Sequence, residues 1–204
     1  MKNRKPAIIF IICVLLIGIV SLCVIVISDF INRDPEVSLK GNVFLYNPDF
    51  NSDIMNEEAY VSLDRTIRFT DGAVTYDIAG DNYVNAANEC QVFLVEYIRA
   101  LVAGDGEKLQ SMYSSELIKE LEIPKIITEQ RIYDCLFSHI SIEEVKENGE
   151  RFYRYEVKVE YKIMRNDGTF RDDLASDSIK PQIFVVDDRA DGCVISKVVQ
   201  FAAN

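Results

Sequence analysis

Apolar residues along this chain fall into three successive patterns: an unbroken run, a helical spacing and a two-residue alternation. The run covers residues 7–28, which hold no charged residue. At about 1.5 Å of rise per residue, some 20 residues cross a hydrocarbon core roughly 30 Å thick. A cleavable leader would end in small residues, whereas Cys23-Val24-Ile25-Val26-Ile27 keeps the run bulky to its end. The pattern predicts an uncleaved transmembrane helix over residues 7–28, set in the lipid bilayer. Lys2, Arg4 and Lys5 precede it, and Asp29, Arg33, Asp34 and Glu36 follow it. Basic flanks stay on the cytoplasmic side. The expectation is a single-pass protein of the cell membrane, with residues 1–6 as a cytoplasmic tail and the C-terminal domain outside.

Residues 29–80 read as a linker, punctuated by Pro35, Gly41 and Pro48, with a β-hairpin near 65–78. There Ile67 and Phe69 alternate with polar residues, Asp71-Gly72 supplies a two-residue turn, and Val74, Tyr76 and Ile78 alternate again. Beyond Asn82 the period lengthens. Tyr83, Ala87, Cys90, Leu94, Tyr97, Ile98, Leu101 and Val102 share one face of a helix, which Asp81 or Asn82 caps and Gly104 ends. Asp105 caps a second helix over residues 106–121, with Leu109, Met112, Tyr113, Leu117 and Leu121 as its apolar face. Pro124 opens a third over residues 124–137.

From His139 the period is two. Tyr153, Tyr155, Val157, Val159, Tyr161 and Ile163 alternate with Arg154, Glu156, Lys158, Glu160 and Lys162. This predicts a long antiparallel strand with one dry face and one wet face. Strands over 139–146, 182–188 and 193–201 complete a meander. The expected fold class is α+β: a domain over residues 81–204 with three helices packed on a curved antiparallel sheet.

That order of elements resembles the nuclear transport factor 2-like, or cystatin-like, cone fold over about residues 82–201. Ala100, Leu101, Gly104, Asp105, Leu109 and Tyr113 are similar to the pattern by which that superfamily joins its first two helices. One departure is the short strand pair often seen between the second and third helices, for which this chain has little room. A membrane helix followed by such a domain also resembles scaffold subunits of bacterial conjugation and type IV secretion machines, and equally many membrane-tethered proteins of Gram-positive bacteria. The resemblance implies a cone-shaped cavity, for which Tyr97, Tyr113, Tyr153, Tyr155 and Tyr161 are the candidate lining residues. It implies a fold and not an activity.

Charge narrows the partners. The chain carries 22 Lys and Arg against 33 Asp and Glu, a net charge of −11, and all the acidic residues lie beyond residue 28. So acidic a chain repels phosphate backbones and anionic headgroups, which argues against a nucleic acid partner. Cys13 and Cys23 fall in the apolar run. Cys90, Cys135 and Cys193 are odd in number and widely spaced. They read either as small buried hydrophobes or as one disulfide with a spare thiol.

Catalytic chemistry finds no set of residues. His139 is the sole histidine and sits where the third helix meets the sheet, where it reads as structural. Enzymes of the cone fold place a base inside the cavity, but the inward face of the long strand carries no acid, and Glu156 and Glu160 point to water. Asp187 to Gly192 opens like a calcium loop but has Arg189 where an oxygen ligand is needed. Asp172, Asp173 and Asp177 read as a solvated acidic loop. No CxxC or HxxxH spacing exists. The expectation is therefore no catalytic residue, no cofactor and no metal. The expected function is a non-enzymatic extracytoplasmic module that binds a protein or cell-envelope partner. The alternatives are a binder of an apolar small molecule, or a small-molecule isomerase, using the cone cavity.

Overall fold

Two-residue alternation governs most of the architecture. The computed structural model describes residues 45–48, 50 and 53–200, which fall within the compact unit Val37–Asn204. A 3-10 turn at Ile54–Asn56 leads into helix α1 (Glu58–Val61) and strands β1 (Ile67–Asp71), β2 (Val74–Gly80) and β3 (Tyr83–Val84). Helices α2 (Glu89–Val102), α3 (Gly106–Ser111) and α4 (Ser115–Leu121) follow. Strands β4 (Ile132–Glu147), β5 (Glu150–Ile163), β6 (Gln182–Arg189) and β7 (Gly192–Gln200) close the described chain. The seven strands form one sheet in the order β3-β2-β1-β4-β5-β6-β7.

On β5, Val157, Val159, Tyr161 and Ile163 are buried, while the intervening charged side chains are partly exposed on the other face. Helix α2 covers the dry face. Its Leu94, Tyr97, Ile98 and Leu101 join Phe137, Phe184, Val186 and Ile195 in a single core cluster. The caps set the helix limits. Asn88 accepts a hydrogen bond from the Gln91 amide at 2.9 Å, and Gly104, at φ +65°, turns the chain out of α2. Asp105 and Ser114 cap α3 and α4 by accepting from the amides of Lys108 and Leu117. A side chain at Gly106 would run into the backbone carbonyl of Lys125, so this entry to α3 admits only glycine without a backbone shift.

The structure corrects the expected three-helix cone in several places. Residues 124–137 form no helix; they run as irregular chain into β4, which begins at Ile132. Ile132, Tyr133, Cys135 and Phe137 are β-branched, aromatic or small, and the C-terminal half of β5 needs a backbone partner. The pairing Ile132↔Ile163 supplies it. The helix expected over 106–121 is two short helices. Between them the Ile195 amide donates to the Met112 carbonyl at 2.8 Å, and the Ser114 amide donates to the Ile195 carbonyl at 2.9 Å. Those bonds to β7 remove carbonyl and amide groups from the helical ladder. Residues 67–80, expected as a hairpin within a linker, pair antiparallel as β1 and β2 and are part of the sheet. β1 lies parallel to β4, with Ile67 opposite Cys135 and Thr70 opposite Ser138. The sheet is therefore mixed and seven-stranded, with four helices among the described residues, rather than an antiparallel meander under three helices.

The membrane expectation is also corrected. No helix among the described residues is long and apolar enough to cross a membrane. The longest, α2, has 14 residues, or about 21 Å of rise, against a core of roughly 30 Å. Residues 7–28, on which the expected anchor rests, lie outside the described residues. The structure accordingly gives no support to a single-pass location in the cell membrane.

Candidate functional site

The tyrosines of the dry face converge with an arginine from the connection between β5 and β6. This connection, residues 164–181, has no helix or strand of its own. Loops of that length in a compact domain usually carry function. Its shape is set by Asn166, whose side chain is fully buried. Asn166 Nδ2 donates to the carbonyls of Arg171 and Leu174, both at 2.6 Å, and its Oδ1 accepts from the Gly168 amide at 3.1 Å. A second knot ties the loop to the chain before β4. Thr128 donates to Asp167, and Gln130 Nε2 donates to Thr128 Oγ1 at 2.8 Å and to Thr169 Oγ1 at 3.1 Å.

This frame places Arg171 inside the protein, 5% exposed. Its guanidinium forks onto Asp173, Nε donating to Oδ1 at 2.5 Å and Nη2 to Oδ2 at 3.0 Å. Lys180 Nζ reaches the same carboxylate at 2.8 Å. Burial pushes the Asp173 carboxyl up, but the hydrogen bonds and charges of Arg171 and Lys180 outweigh it and hold it below the usual carboxylate range. Behind the pair, Arg171 Nη1 lies 3.5 Å from the Tyr161 hydroxyl. The Tyr97 and Tyr113 hydroxyls are 3.1 Å apart, and the Tyr97 ring stands edge-on to Phe184 with centroids 5.1 Å apart. Burial pushes all three phenols above their ordinary range.

In front of Arg171 opens a cavity of about 310 Å³. Tyr113, the turn after α4 (Leu121 to Pro124), the loop from Gly168 to Asp173, and Gln182, Val198 and Gln200 line it. Gln182 and Gln200 face each other across β6 and β7. Among the described residues, Gln200 Oε1 is buried without a hydrogen-bond partner. A buried acceptor left unpaired is costly, so it calls for a donor. The cavity thus offers two carboxamides, a guanidinium and a phenol beside the apolar surface of Ile123, Phe170 and Val198.

The sequence-selected residues divide. Tyr113 lines the cavity, and Tyr97 and Tyr161 form the buried wall behind it. Tyr153 and Tyr155 lie toward the other end of β5, Tyr153 being 51% exposed, and do not line it. The cavity-lining residues that sequence reasoning missed as a set are Arg171, Asp173, Gln182 and Gln200. Asp173, expected in a solvated loop, is buried, and Asp177 accepts a hydrogen bond from the Tyr133 hydroxyl at 2.9 Å. The length of the loop and its closely spaced Arg171 and Asp173 were the available signal.

Elsewhere, the turn at Asp187 to Gly192 holds an ion-pair cluster. Asp187, 1% exposed, takes both Arg154 and Arg189, whose guanidinium lies 3.8 Å over the Phe152 ring. No group of residues suited to a metal ion occurs among the described residues. Cys90, Cys135 and Cys193 are free thiols. His139 Nδ1 lies 3.1 Å from Asp71 Oδ1, and Nε2 is buried. That ring lies outside the cavity.

No protein-family model matches this chain, and neither a curated protein nor a solved structure matches it. The resemblance to the nuclear transport factor 2-like superfamily gains no support from these comparisons.

Proposed function

We propose that the domain is a non-enzymatic binding module whose cavity takes a small neutral molecule that donates hydrogen bonds, a class that includes sugars and primary amides. The observation that carries this reading is the unpaired Gln200 carboxamide oxygen beside Gln182 in a cavity of about 310 Å³. Charge supports a neutral ligand. Arg171 is already matched by Asp173, and Asp172 and Glu122 stand at the cavity wall, where they disfavour an anion. The polar lining favours such a ligand over the apolar small molecule expected as an alternative.

Titration directions support binding over catalysis. Tyr113 and Arg171 are shifted up and Asp173 down, so each moves away from neutral pH. General acid–base catalysis asks for the opposite. A thermal-shift screen with monosaccharides and small primary amides tests the reading. At a concentration of about 100 times the dissociation constant, a bound ligand adds about 2.7 kcal/mol and raises the melting temperature by several degrees. At least one compound should do so, and the shift should vanish in the Gln182→Leu/Gln200→Leu double variant. No shift across the panel, or a shift that survives in the double variant, would overturn the reading.

A further inference from the structure

Strand β4 is covered unequally along its two sides. On one side β5 pairs with it from Ile132 to Glu147. On the other side β1 covers only Cys135–Ser138 and ends at Asp71, which meets His139. Beyond that point no described strand lies beside β4, so Ile140–Glu147 presents an open edge along residues 140–147. Such an edge is a template for another strand. Its side chains suit the role. Ile140 and Ile142 are each 48% exposed, and Tyr153 on the adjoining strand is 51% exposed.

We propose that this edge accepts an extended basic segment of a partner protein, added as a further strand beside β4. The main chain supplies hydrogen bonds, and alternate side chains supply selectivity. Charge chooses the occupant. Glu143, Glu144 and Glu147 are all exposed along the edge; Glu144 lies 3.6 Å from Arg151 and Glu147 3.5 Å from Arg189, and with Lys146 as the one cation of the segment the edge stays net acidic. Two copies of this chain pairing antiparallel about the centre of the edge would set Glu143 of each copy against Glu144 of the other. Like charges directly opposite one another are destabilising, so a second copy is the wrong partner. Lysine or arginine opposite Glu143 and Glu147, with a β-branched residue opposite Ile142, turns the same positions into favourable cross-strand pairs. No residue of β4 lines the β6–β7 cavity, so this site does not rest on the cavity reading.

The test uses the full chain and fluorescent octapeptides. One alternates valine with lysine, one alternates valine with glutamate, and one is the valine–lysine peptide with alternate backbone amides methylated. The valine–lysine peptide should bind about tenfold or more tightly than the valine–glutamate peptide, a preference that salt reduces. Methylation should abolish binding while leaving charge unchanged. Glu143→Lys/Glu144→Lys, exposed changes that keep the fold by circular dichroism, should reverse the preference. Equal binding of the methylated peptide would show attraction by charge alone and overturn strand addition. Dimers in sedimentation that E143K/E144K abolishes would assign the edge to a second copy. Failure of the valine–lysine peptide to bind, with slow hydrogen exchange along residues 140–147 in the free chain, would show the edge already covered. Failure with fast exchange would refute the partner chemistry.

Discussion

Val159→Asp is expected to cost about 3–5 kcal/mol, whereas Lys158→Gln, one residue earlier, is expected to cost under about 1 kcal/mol. Val159 is 1% exposed, opposite Phe137 on β4 and Gln182 on β6. An aspartate there buries a carboxylate among apolar side chains, with the neutral Gln182 as the only polar side chain directly opposite. Most of the loss comes from desolvating a charge with nothing to compensate it, and a typical domain holds only about 5–15 kcal/mol in total. Lys158 lies on the wet face and pairs with Glu160 at 2.8 Å, a partly solvated bridge of small worth. Urea unfolding of the two variants reads both numbers. Because side chains alternate, a register slipped by one residue would exchange the two results. Equal losses would show that β5 is not half-buried.

Asp173→Asn carries the second large effect. It leaves the Arg171 guanidinium, 5% exposed, without its carboxylate and with Lys180 beside it. Breaking a buried pair by removing one partner costs about 3–5 kcal/mol, much of it the cost of the stranded charge. Arg171→Met/Asp173→Leu removes both charges and should recover a large part of that loss. The pH dependence follows from the sign of the shift. Asp173 has a folded pKa below its unfolded value, so its contribution is complete above the ordinary carboxylate range and is lost as pH falls through the folded value. Below about pH 4 the parent should therefore lose stability more steeply than Asp173→Asn. Parallel acid limbs for the two proteins would contradict the buried ion pair.

What the sequence made legible depended on uninterrupted patterns. Over Val157 to Ile163 one assignment of faces accounts for every residue, whereas at the start of β5 the expected dry face fails, since Tyr153 is 51% exposed and Phe152 is buried. Leu94, Ile98 and Leu101 repeat at helical spacing and Gly104 marks the end of α2, but its start, expected at Asp81 or Asn82, falls at Asn88, because Tyr83 and Val84 pair as β3. Residues 124–137 gave the wrong element because Pro124 suits a first helical turn and Ile132 to Phe137 is too short to separate the two periods. What decides it is a partner distant in sequence, the end of β5, which local spacing does not contain. The cavity was hidden for a related reason. Its key residues come from a polar loop and from the ends of β6 and β7, so no single stretch displays them together. Polarity made Asp173 look solvated; the fork from Arg171 is what permits its burial. The mixed sheet was hidden because Ile67 on β1 meets Cys135 on β4 across a long intervening stretch of chain.

The ligand site is tested most directly by the side-chain carboxamide signals of Gln182 and Gln200 in nuclear magnetic resonance spectra of the protein. Titration with the compound giving the largest thermal shift should move both pairs of signals, with a common midpoint, while the amide of Glu143 on β4, which does not line the cavity, stays still. Carboxamide signals that remain in place at saturating concentrations of every sugar and amide tested would contradict the account.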